Sequence, residues 1–130
     1  MDKDFFSKME LVYIAFDELS FIRHGQKNDN EVKGSFIIET SVSEDEKLYK
    51  VTVKAKALKE SEYDLLVTIS GIFTFADDVT DDAKDELLNK NAVAILMPYV
   101  RSEIAILTAQ PDTDSITLPI FDITKMMGDD

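Results

Sequence analysis

Cysteine is absent from these 130 residues. That absence excludes thiol catalysis, cysteine-ligated zinc and disulfide staples, and it fits a reducing compartment. Histidine occurs once, as His24 in the polar stretch RHGQKNDNE, with no catalytic partner marked beside it, so it reads as a surface residue. No apolar run exceeds the nine residues Ala92 to Val100, whereas a bilayer-spanning helix needs about 20. The opening MDKDFFSKMELVY mixes charges of both signs and lacks the apolar centre of a signal peptide. A soluble, cytoplasmic protein is expected. Basic residues are scarce, 14 against 26 acids for a net charge of −12, which argues against a nucleic-acid backbone or an anionic lipid surface as partner. The sequence holds no GxGxxG, GKT, GKS, HExxH or GxSxG, so no phosphate cradle, zinc site or activated nucleophile is indicated. No enzyme, metal or cofactor is expected. Nor is there an internal repeat or a Pro/Gly/Ser linker, and residues 1–130 read as a single domain. A chain of this size buries roughly two-thirds of its unfolded surface without staples.

What is present changes character once along the chain. Up to about Phe75 the pattern is that of strands; from about Thr80 it is helical. In KLYKVTVKAKALK, Tyr49, Val51, Val53, Ala55 and Ala57 alternate with Lys50, Thr52, Lys54 and Lys56, giving one buried and one wet face. The lysine row is read as a solvated sheet face or as an edge made unattractive for pairing. Leu65, Val67 and Ile69 mark a second strand in EYDLLVTISGIFTF, where Gly71 signals a bulge or a close backbone approach. Phe36, Ile38 and Val42 mark a third in VKGSFIIETSV, joined to the lysine-rich strand through SEDE. A fourth lies in LVYIAFDELSFI, its alternation slipping near Phe16 to Glu18. RHGQKNDNE between the fourth and the third is expected to be a mobile loop.

Asp77, Asp78, Asp81, Asp82, Asp85 and Glu86 crowd into ten residues. Thr80 suits a helix N-cap, and Asp81 and Asp82 then offset the dipole of the first turn, whereas a calcium loop would need glycine and a spaced oxygen pattern. NKN permits a break before a second helix. Strands followed by helices, without alternation, indicate an α+β fold: an antiparallel sheet with helices on one face. The expected extents are strands over about 11–75, helices over about 80–110 and a tail over 111–130.

Within NKNAVAILMPYVRSEIAILTAQP, apolar positions from Ile95, Ile106 and Tyr99 round to Val93 and Ile104 cover an arc of about 180° at 100° per residue. That is wider than one sheet contact needs, so self-association through this helix is expected, with Ile95, Tyr99, Glu103 and Ile106 at the interface. Pro98 and Arg101 lie on the polar side, where water can replace the helical partner lost at Ala94. Glu103 projects from the apolar arc and needs a polar partner or an opening to water.

Three stretches, ISGIFTF, AILMPYVRSEIAILTA and DSITLPIFDIT, resemble in order and spacing the protein-export chaperone family SecB. Pro98, Tyr99 and Arg101 are the most specific part, and FDELSFI and EVKGSFII extend the likeness over most of the chain. The resemblance implies a four-stranded antiparallel sheet with a long proline-kinked helix packed on one face, assembled as a dimer or dimer of dimers. It implies an ATP-independent holdase for unfolded or partly folded polypeptides, linked to export or, in some relatives, to antitoxins. The family's client grooves lie near the helix and the connection after the first strand, which here points to Phe21, Ile22, Phe36, Ile38 and Met97. The family docks the translocase motor through acidic residues on the outer sheet face; the matching positions are Glu18, Ile22 and Leu66, of which only Glu18 is acidic. Glu103 stands where the family usually has a small or apolar residue, and the family's further C-terminal helix has no counterpart after TKMMGDD. The alternative on the same scaffold is a non-catalytic adaptor that recognises one protein partner.

Overall fold

Alternation alone accounts for the two inner strands. Val51, Val53, Ala55 and Ala57 on one, and Leu65, Val67, Ile69 and Phe73 on the other, are all buried, because every second side chain of a strand points to the same face. The computed structural model describes residues 8–117. It contains β1 (Met9–Arg23), β2 (Val32–Val42), β3 (Tyr49–Lys59) and β4 (Tyr63–Phe75), then α1 (Asp81–Glu86), a π-helical turn (Leu87–Ala92) and α2 (Val93–Thr108). The strands form one antiparallel sheet in the order β1-β4-β3-β2. The helix lies on one face, so the architecture is the α+β arrangement that the periodicity predicts.

The alternation slip in β1 is real. Its register with β4 shifts between Phe16 and Glu18 and again between Leu11 and Tyr13. At the first shift the Asp17 carboxylate accepts a hydrogen bond from Ser70 Oγ, which in turn lies 2.9 Å from Thr52 Oγ1. The bulge thus delivers a carboxylate to hydroxyls on the face away from the helix. Gly71 marks a close approach. A Cβ there would sit 2.9 Å from the Phe73 ring and 3.1 Å from Leu96 of α2. Gly71→Val is therefore expected to cost about 1–3 kcal/mol by overpacking, read as a lower urea midpoint at an unchanged slope.

Thr80 is the N-cap, its Oγ1 accepting the Ala83 N–H at 3.2 Å. The break that NKN permits does not occur. Asn89, Lys90 and Asn91 lie inside the π-helical turn, and the helical backbone runs on from Asp81 to Thr108. Leu87, Leu88, Ala92 and Val93 are buried around that turn, and this apolar contact holds the chain helical where the asparagines alone would have released it. Of the two readings of the lysine row, the solvated face is the one that holds. β3 lies inside the sheet, so Lys50, Lys54 and Lys56 guard no edge and instead cover the outer face.

The polar connection after β1 is anchored where a mobile loop was expected. His24 and Gly25 donate their N–H groups to Glu62 O at 2.8 and 3.3 Å, and Asn28 and Asn30 both donate side-chain N–H groups to Glu60 O at 2.9 Å. Lys27 pairs with Asp114 at 2.8 Å. The reason is non-local: the partners come from the β3–β4 turn and from the segment after α2.

Candidate functional site

Beneath that loop the turn between β3 and β4 buries an ion pair. Lys59 Nζ lies 3.0 Å from Glu62 Oε1, Glu62 is 0% exposed, and the same oxygen accepts the Asn28 N–H at 2.8 Å. Burial pushes the Glu62 carboxyl up, but the Asn28 N–H and the Lys59 ammonium together pull it further down, and its pKa ends below the ordinary value of 4.5. A depressed carboxyl stabilises the fold above its unfolded pKa, and that contribution fades as pH falls through the folded one. Below about pH 4.5 the wild type should therefore lose more stability with each pH step than Glu62→Gln, in melts recorded from pH 6 to 3. Equal slopes would contradict this role. Gly25 seals the turn: a Cβ there would lie 2.4 Å from Ser61 O.

The outer sheet face carries a concavity of about 590 Å³. Strand pairing builds it in rows. Ile22, Asp64, Leu58 and Lys33 stand side by side across the four strands, and Ser20, Leu66, Lys56 and Ser35 form the next row. Together with Glu18 these residues line the hollow. Ile22, 55% exposed, Leu58 and Leu66 are its apolar part; Glu18 and Asp64 supply acids on the β1–β4 side, Lys33 and Lys56 cations on the β2–β3 side. His24 joins its rim, with Nε2 2.9 Å from Asp64 Oδ2. Neither His24 nor Asp64 is hydrogen-bonded to a hydroxyl among the described residues. Sequence reading placed His24 alone in a loop; its partner is 40 residues away and only the fold shows it.

A second surface lies on α2. Val93, Leu96, Met97, Val100, Ile104 and Thr108 are buried against the sheet, while Ile95, Tyr99 and Ile106 point away from it and are 38%, 47% and 63% exposed. Ile106 lies eleven positions beyond Ile95, about three turns of helix, so the three residues form one stripe. Glu103 is half-buried on its flank and makes no hydrogen bond or ion pair among the described residues. Pro98 is exposed, on the side where water reaches the Ala94 carbonyl.

The residues singled out for client binding do not converge. Phe21 stacks on Tyr63 at the helix-side face of β1. Phe36 and Ile38, half-buried, lie on the helix side of β2, at the opposite edge of the sheet. Ile22 lies on the outer face. Met97, 3% exposed, is core, because it sits one residue past Leu96 on the buried side of the helix. Glu18, Ile22 and Leu66, matched to the translocase contact, do converge in the outer concavity. Leu118 and Pro119 lie outside the described residues. No helix among the described residues is long and apolar enough to cross a membrane.

Among solved structures, the fold is similar to the SecB-like chaperone Rv1957 of Mycobacterium tuberculosis, determined in complex with a ChAD peptide from the Rv1956 HigA1 antitoxin. The TM-score is 0.76 at 13% identity, over 89% of this chain and 92% of that one. A protein of unknown function from Streptococcus agalactiae is similar at a TM-score of 0.51 and 11% identity, over 86% of this chain and 97% of that one. No protein-family model matches the chain, and no curated protein matches it. The likeness is one of fold, and the fold is SecB-like.

Proposed function

We propose that this chain is a non-catalytic, ATP-independent holdase that binds unfolded or partly folded polypeptides in the cytoplasm, working as a dimer or a dimer of dimers. The observation that carries the proposal is apolar surface left open on both sides of a closed core: Ile95, Tyr99 and Ile106 on the helix, and Ile22, Leu58 and Leu66 on the far face of the sheet. A folded monomer gains nothing from such patches, whereas a partner chain does. The helical stripe is assigned to a second copy of this chain, and the exposed Ile22 with the half-buried Phe21, Phe36 and Ile38 to clients. The SecB-like fold supports this, as does the peptide bound to the Mycobacterium tuberculosis protein. Export through the translocase motor is a weaker assignment, since Ile22 and Leu66 stand where acids are expected and Glu18 is the acid present.

The expected outcome is suppression of aggregation of several unrelated denatured proteins at near-stoichiometric ratio and without nucleotide, measured by light scattering. A chain with no effect on any of them would not be a holdase. The charged rim of the outer concavity favours a second reading, a specific adaptor. Capture from lysate separates the two: many substoichiometric clients mark a holdase, one dominant salt-sensitive partner an adaptor.

A further inference from the structure

The two edges of the sheet differ. β1 is interrupted by two register shifts, and such bulges turn an edge away from pairing. β2 keeps unbroken register with β3 over its eleven residues, contains no proline, and among the described residues no strand lies beyond it. Alternate residues of β2 therefore direct N–H and C=O groups to the open side of the sheet. A row of alternating donors and acceptors at strand spacing is matched in series by another extended backbone.

The flanking side chains specify its chemistry. On the outer face Lys33 lies on β2 itself, and Lys56 and Lys50 of β3 stand beside Ser35 and Ser41, residues small enough for a lysine stem to reach past. Glu39 is the one acid on the outer face of β2 and β3. On the helix side Val32 and Val42 are exposed near the two ends of the strand. At physiological ionic strength charges beyond about 8 Å are screened, so these lysines, and not the net charge of −12, set the preference at contact.

We propose that the β2 edge accepts an extended segment of a partner polypeptide as a fifth strand, with preference for segments that alternate apolar and acidic residues. The proposal rests on the reading of the chain as a polypeptide binder and adds the mode and the sequence class.

The test uses a fluorescent peptide as long as β2, valine alternating with glutamate, titrated with the full chain and followed by anisotropy. Two N-methylated forms are compared, one methylated at three valines and one at three glutamates. In an added strand the two sets of N–H groups point to opposite sides. One form should bind about 100-fold more weakly and the other within about threefold of the parent. Exchanging glutamate for lysine in the peptide should weaken binding about tenfold, and the Lys33→Glu, Lys56→Glu double variant should reverse that preference. A parent peptide that binds with equal tolerance of both methylations overturns strand addition while leaving polypeptide binding intact. Binding whose charge preference ignores the double variant removes the β2 edge as its location. No binding by any peptide overturns the underlying reading as well.

Discussion

Lysine at both Ile95 and Ile106 is expected to abolish the proposed self-association and leave single chains that remain folded. Each isoleucine is exposed in the isolated chain, and burying one against a partner contributes about 1.5–3 kcal/mol. An ammonium group in its place must stay hydrated, and a two-fold interface meets every substitution twice. Because neither residue belongs to the core, the urea midpoint of the separated chain should move by no more than about 0.5 kcal/mol equivalent. Light scattering across micromolar concentrations supplies the reading, and a wild type that is already monomeric there would remove the interface altogether. Glu103→Val refines the same claim. With no hydrogen-bond or ion-pair partner among the described residues, Glu103 is expected to find one across the contact, and its loss should change oligomer stability more than client affinity.

Phe73→Ala should be the most destabilising single truncation. The ring is 0% exposed, sits between Leu11 and Tyr49 in the sheet register and occupies the space that Gly71 leaves open. Removing it costs about 3–5 kcal/mol, since the surroundings relax only in part. Set against a typical total of about 5–15 kcal/mol, that lowers the melting temperature by about 10–20 °C. A loss below about 1 kcal/mol would mean that the helix does not press on the sheet at this point.

Local chemistry was legible where it decided the structure by itself. The buried faces of β3 and β4, the slip at Phe16 to Glu18, the Thr80 cap and the close approach at Gly71 all follow from spacing, capping or the missing Cβ. What could not be read depends on groups far apart in the chain. The loop after β1 is held by Glu60, Glu62, Asp112 and Asp114, and a polar composition alone does not distinguish an anchored loop from a free one. The interior place of β3 was equally hidden, because a lysine row looks the same on an edge as on a wet face. Met97, named from the family resemblance alone, is buried against the sheet, and which side of a helix faces inward is defined only once the sheet is in place. The outer concavity combines Glu18, Ile22 and Leu66 with Lys33 and Lys56 through pairing across four strands, a register that no single strand encodes.

The central claim, that this chain binds polypeptides because they are unfolded, is tested most directly by calorimetric titration with one client in two states: native, and held unfolded by reduction and alkylation. Saturable binding of the unfolded form without nucleotide, with a negative heat-capacity change from apolar burial and no heat from the native form, is the predicted result. Equal affinity for both states, or binding of neither across several clients, would contradict it.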